Sequence, residues 1–177
     1  MTESLKAIRF MAVILVGMMG SGKSTVGRLA ASLFGLKFID LDEEIERTAG
    51  IKIAEIFKRY GEDEFRRLES EALKRVESSE NMVLSVGGGA MIKPENVETM
   101  RKIGKIVYLQ TSLEELERRL EPEKSNRPLL QEGSHKTLKD LLEKRRAVYE
   151  TADIILVTER FTPEEMAEII AGITQLP

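Results

Sequence analysis

Cysteine is absent from this 177-residue chain, so disulfides and thiolate metal sites are excluded. Histidine occurs once, at His135, which rules out a multi-histidine metal site. Long hydrophobic runs are also missing. The longest, FMAVILV at 10–16, falls far short of the roughly 20 residues that span a bilayer. It also lacks the length and cleavage pattern of a secretion signal, so a cytoplasmic protein is expected. Nor is there a basic excess: 27 Lys and Arg against 30 Asp and Glu leave a formal charge of −3, which provides no global field for nucleic acid. Repeats, low-complexity tracts and linkers do not occur, and a single domain over 1–177 is expected. What is present is an ordinary globular composition, 42% hydrophobic and 32% charged. A chain of this length can bury roughly 70% of its unfolded surface. No exposed apolar stripe stands out, so a monomer is expected.

Four apolar runs rich in β-branched residues read as buried parallel strands: 11–16, 82–86, 105–109 and 153–157, with 36–40 (LKFID) as a shorter fifth. Helical spacing fills the intervals. Val26, Leu29, Ala30 and Leu33 share one face of a helix over 23–34. The stretch 51–79 is long and charged and reads as two helices broken at Gly61. Further helices are predicted over 94–102, 111–120, 138–149 and 163–173. The helix over 111–120 opens on the capping boxes Thr111…Glu114 and Ser112…Glu115, and Thr162 before Pro163 suits the start of the last. Strands alternating with helices imply crossover connections and a three-layer α/β/α fold around a five-stranded parallel sheet. The polar segment 121–134, with two prolines and a glycine, breaks the rhythm and reads as a lid. His135 at its end reads as a solvated loop residue, and the first nine residues as a partly disordered extension.

The stretch GMMGSGKST, 17–25, answers to the phosphate-binding loop between strand and helix. Gly17, Gly20 and Gly22 permit backbone angles that side chains forbid, and they let the chain approach an anion closely. The amides of Gly20, Ser21 and Gly22 can then form a nest backed by the positive end of the helix. Lys23 adds a mobile charge for the outer phosphates, Ser24 offers a hydroxyl to Mg²⁺, and Thr25 is placed to help hold phosphate. This establishes nucleotide phosphate binding but leaves kinase, switch and motor ATPase open.

Three further patterns bear on the acceptor. In FIDLD a strand end carries Asp40 and Asp42, which would share a face of an extended strand near the phosphate loop. One could hold Mg²⁺ through water, and the other could take a proton from a substrate hydroxyl. A helix cap is the alternative for either. Arg66 and Glu69 are spaced to meet on a helix face, usually as a surface ion pair. Gly87, Gly88 and Gly89 after a strand leave room for a ligand against the backbone. Met18 and Met19 read as packing residues, and Arg67 and Arg146 as surface charges.

With GMMGSGKST, FIDLDEEIE, FRRLES, VLSVGGGA, NRPLL and RRAVYETAD in this order, nearly the whole chain resembles the shikimate kinase family of P-loop, nucleoside-monophosphate-kinase-like enzymes. The resemblance implies transfer of a phosphoryl group from ATP to the 3-hydroxyl of shikimate, with Mg²⁺, in aromatic amino-acid biosynthesis. It implies that Asp42 binds shikimate hydroxyls and serves as base, and that Arg66 and Arg145 hold the carboxylate. Arg145 rather than Arg146 is chosen because it stands four residues before Tyr149. Gly87, Gly88 and Gly89 line that pocket, and Arg127 in the lid reaches the transferring phosphate. Ser24 and Asp40 serve Mg²⁺, and Arg119 with Pro128 flanks the adenine. The substrate-binding region is expected at about 42–80. The alternatives are a gluconate or nucleoside-monophosphate kinase, or a nucleotide switch without turnover. The Arg66, Arg145 and Asp42 set suits a carboxylate with neighbouring hydroxyls.

Overall fold

Five short strands lie side by side in one all-parallel sheet, ordered β2-β3-β1-β4-β5. The strands are β1 (Ala12–Val16), β2 (Lys37–Asp40), β3 (Met82–Ser85), β4 (Gly104–Gln110) and β5 (Ile154–Val157). The helices are α1 (Lys23–Phe34), α2 (Leu41–Ala49), α3 (Ile53–Arg75), α4 (Pro94–Ile103), α5 (Leu113–Leu120), α6 (His135–Tyr149) and α7 (Pro163–Thr174). The structure, a computed structural model, describes residues 12–76, 81–121 and 135–174, and the backbone alone at 135–137. The N-terminal extension, Arg127, Pro128 and nearly all of the expected lid lie outside the described residues.

Strand alternation builds the two faces. Ile14 and Val16 of β1, Leu84 of β3, and Ile106 and Tyr108 of β4 point to one side, where they pack with residues of α2 to α6. Val13, Leu15, Val83, Val107 and Leu109 point to the other, against α1 and α7. Both faces are buried along the central strands β3, β1 and β4, which is why these read as continuous apolar runs, whereas the edge strands β2 and β5 are partly exposed. Fully burying a side chain such as Leu15 or Ile14 stabilises the fold by about 1.5–3 kcal/mol. Gly27 lets α1 sit close on the sheet, since a Cβ there would stand 2.6 Å from Phe38 Cε2.

The helix boundaries follow local chemistry. Asp40 caps α2. Ser112 Oγ accepts from the Glu115 amide at the start of α5, so the second of the two overlapping capping boxes sets that helix. Thr111 is instead buried and shares a hydrogen bond with Thr158, because it lies at the end of β4 where β5 runs alongside. Thr162 and Glu165 cap α7 reciprocally. Gly61 interrupts α3 with φ 83 and ψ 178, a conformation open to glycine. His135 opens α6 rather than lying in a loop. Among the described residues no helix is long and apolar enough to cross a membrane.

In a parallel sheet of this kind ligands collect beyond the carboxyl ends of the strands. Three of those ends bear on the site: the glycine-rich loop after β1, Asp40 ending β2, and the triple glycine after β3.

Candidate active site

Backbone conformation shapes the loop after β1. Gly20 and Gly22 take φ 80 and 93, in the left-handed region that side chains disfavour. Gly22 is the N-cap of α1 and supplies no side-chain cap, and no acidic residue occupies the first turn. The first amides of α1 are therefore left to an anion. Lys23 folds back over the loop, donating to Gly17 O at 3.1 Å and Met18 O at 2.9 Å. Arg119 on α5 lies along the loop, donating to Gly20 O at 3.4 Å. Its other partner is Glu115 at 2.6 Å. Hydrogen bonds from Arg118 and Arg119 pull the Glu115 carboxyl down to about 2.

Strand register assembles an oxygen cluster beside the loop. Asp40 pairs with Ser85 across β2 and β3, and Ser24 in the first turn of α1 reaches both. Its Oγ donates to Asp40 Oδ2 at 2.6 Å and stands 3.5 Å from Ser85 Oγ. Asp40 Oδ1 accepts from the Asp42 amide at 3.1 Å, so this carboxylate is both helix cap and cluster member. Asp40 and Asp42 do not share a strand face. β2 ends at Asp40, and Asp42 stands in the first turn of α2, because the Asp40 cap turns the chain there.

The triple glycine faces the charged side chains. A Cβ at Gly87 would stand 2.7 Å from Glu69 Oε1 and 3.1 Å from Asp42 Oδ1. One at Gly88 would stand 3.2 Å from Arg145 Nη1, 3.2 Å from Gly17 O and 3.3 Å from the Tyr149 hydroxyl, and one at Gly89 would fall onto the Arg66 guanidinium. Only a bare backbone fits there. The turn is braced from behind by Asn96, buried, whose Nδ2 donates to Ala90 O at 3.0 Å.

The Arg66–Glu69 pair is not a surface bridge. Glu69 is fully buried and Arg66 is 12% exposed, at 2.8 Å, because Phe65, Glu69, Ala72 and Leu73 form the inward face of α3. Burial pushes the Glu69 carboxyl up against the pull of Arg66, and the Asp42 charge adds to the rise. Burial works against the Arg66 charge too, but Glu69 and Glu62 outweigh it and push its pKa up. Both shifts are upward, so the arginine charge is favoured and the carboxylate charge is not: burial dominates at Glu69, while Arg66 has a second carboxylate, Glu62, beside it. Glu69 Oε1 and Arg145 Nη1 are buried with no hydrogen-bond partner among the described residues. Such atoms are costly unless a ligand serves them. Arg145 is 3% exposed on the inward face of α6, whereas Arg146 is exposed. Arg67 pairs with Glu64 and Glu71 at the surface.

Tyr149, Glu69, Ser85 and Asn96 were not singled out as functional by sequence reasoning. For Glu69 a signal existed: a carboxylate at an apolar-phase position between Phe65 and Leu73.

Thus the glycine-rich loop, an oxygen cluster suited to a hard cation, a carboxylate and two arginines gather around one bare glycine turn. A family model described as shikimate kinase matches residues 19–174. A shikimate kinase of Nitrosomonas europaea is 48% identical over 150 residues, covering 84% of this chain and 71% of the relative. One of Thermodesulfovibrio yellowstonii is 42% identical over 159 residues, covering 89% and 91%. The solved shikimate kinase of Acinetobacter baumannii, in complex with shikimate, is 39% identical with a TM-score of 0.86, covering 92% of each chain.

Proposed function

The chain belongs to the shikimate kinase family, and we propose that the site described above carries its reaction: transfer of the terminal phosphoryl group of ATP to the 3-hydroxyl of shikimate. One observation carries this assignment. A Cβ built on Gly88 would stand 3.2 Å from both Arg145 Nη1 and Gly17 O, so the buried arginine and the phosphate loop close on the same glycine.

Shikimate is an anion with neighbouring hydroxyls. Arg66 and Arg145 take its carboxylate, as planar guanidinium groups match two oxygens. Asp42 accepts from the reacting hydroxyl and draws off its proton. The amides of 20–25 and Lys23 hold the phosphates, and Arg119 extends that hold toward the nucleotide. Ser24 and Asp40 fit Mg²⁺ by donor type, since that ion takes oxygen ligands and needs only one or two from protein beside substrate phosphates. When bound, it neutralises charge on those phosphates. Arg127, from the polar segment 121–134, is assigned to the transferring group and that segment to a lid that excludes water. We assign the chain to the cytoplasm as a monomer.

The direct test is a coupled assay for ADP release with ATP and shikimate, run beside gluconate and nucleoside monophosphates. Turnover with shikimate alone is expected. Turnover with another acceptor and none with shikimate would reject the assignment.

The Gly89 turn gives a second test. Gly89 has φ −102, which any residue adopts, so Gly89→Ala strains no backbone. Its Cβ displaces the Arg66 guanidinium, which Glu62 and Glu69 otherwise hold. A charged hydrogen bond contributes about 1.5–3 kcal/mol, so the KM for shikimate should rise about 10–100-fold while the KM for ATP stays within about 2-fold. Equal rises in both would argue against Arg66 as a carboxylate partner.

A further inference from the structure

Tyr149 ends α6 with its ring fully buried and stacked on Tyr108, centroids 4.9 Å apart. Its hydroxyl touches both halves of the site. It donates to Gly88 O in the triple-glycine turn, and it lies 3.7 Å from Sδ of Met18 in the phosphate loop. A hydroxyl has one proton and two lone pairs. The proton goes to Gly88 O, and the lone pairs are left facing the Arg145 guanidinium, which shares the space at Gly88. Burial pushes the phenol up to about 12, with Arg145 opposing the rise, so the group stays a neutral donor throughout the working range.

The nucleotide side bears on the same two loop residues. Lys23 grips the carbonyls of Gly17 and Met18, and any phosphate that draws Lys23 away changes the load on both. Met18 is buried in the core, so a shift in the loop passes to what packs on it, and the Tyr149 hydroxyl at 3.7 Å is one of those neighbours. Coupling between sites requires such a shared element with two arrangements.

We infer that Tyr149 is a positioning residue that couples the two substrates: its hydroxyl ties the Met18 segment of the phosphate loop to Gly88 and orients Arg145, so that nucleotide binding sets the arginine that takes the acid. The inference rests on the reading of Arg145 as a carboxylate partner.

Calorimetric titration of shikimate into the full chain, with and without saturating Mg·ADP, tests it. In the native protein, ADP should tighten shikimate binding by about 5-fold or more, the lower end of ordinary coupling. In Tyr149→Phe, which keeps the ring stack, the ratio of the two dissociation constants should fall to within about 2-fold of one. A merely structural role would weaken both titrations alike and leave the ratio intact. An unchanged ratio in Tyr149→Phe, or a ratio of one in the native protein, overturns the inference. Met18→Leu approaches the same contact from the loop with Tyr149 in place. It should lower the ratio at least about 2-fold, and an unchanged ratio there counts equally against the proposal. Failure of the native protein to bind shikimate at all would strike the functional reading instead.

Discussion

Replacing Lys23 with methionine is expected to lower the turnover number by about 10³-fold or more, the range in which a single cation on a transferring phosphoryl group falls. Phosphoryl transfer asks little covalent chemistry of the protein. Alignment and neutralisation of the phosphate oxygens account for most of it. The Lys23 ammonium is the charge carried by the glycine-rich loop itself, and its reach is set by the first turn of α1. In the structure it is stored against Gly17 O and Met18 O at 3.1 and 2.9 Å, two neutral carbonyls that a phosphate would outcompete. Methionine keeps the aliphatic stem and loses those bonds, so the cost in stability should be about 1 kcal/mol, a shift of roughly 2–4 °C in Tm for a chain of this size. Shikimate binding without nucleotide should not weaken, as read by calorimetry, since Lys23 takes no part in holding the acid. Steady-state kinetics alongside thermal unfolding check both halves. Turnover within 10-fold of the native enzyme would remove Lys23 from the transfer step.

The central strands were legible because both of their faces are buried. Runs such as 82–86 carry no polar alternation to confuse them with surface strands, and the structure places β3 at Met82–Ser85. Gly61 was legible as a break because glycine in a charged helical stretch has few other uses, and its φ of 83 bears that out. The helix α2 was harder to see. Its first turn is acidic and its start coincides with the Asp-x-Asp pattern, so the same residues read equally as a strand end. The deciding contact, Asp40 Oδ1 to the Asp42 amide, is a side-chain choice that period alone does not report.

The phosphate loop could be read from sequence because its parts are contiguous: strand, glycines, Lys23, Ser24 and helix follow without a gap. The proposed acid pocket could not be built that way. Arg66, Gly89 and Arg145 come from α3, the turn after β3 and α6, and only the packing of those elements around β1 brings them together. Periodicity held an unused clue. Leu138, Leu142, Arg145 and Tyr149 fall on one face of α6 and all are buried, which separates Arg145 from Arg146 on physical grounds. The surface-pair alternative for Arg66 and Glu69 came from weighing the spacing between the two charges and not the phase of Glu69 against Phe65 and Leu73.

Asp42→Asn should divide the roles of that carboxylate. Its Oδ1 stands beside Gly87, close to Glu69 Oε1, and its backbone is pinned through Asp40, so the substitution changes charge without moving the chain. An amide oxygen still accepts from a hydroxyl, and the KM for shikimate should rise less than about 10-fold. An amide cannot take the proton that the hydroxyl releases as the new bond to phosphorus forms, so kcat should fall by about 10²–10⁴, the usual contribution of a positioned base. The neighbouring acid does not compensate. Glu69 is committed to Arg66 at 2.8 Å, and its raised pKa owes first to burial, with only a lesser part from the Asp42 charge. Removing that charge leaves the burial in place. Steady-state constants for both substrates, measured from pH 6 to 9, decide the matter. A depressed kcat across that range with a modest change in KM identifies Asp42 as the base. A large rise in KM with kcat within 10-fold of the native value would reduce it to a group that only holds the hydroxyls.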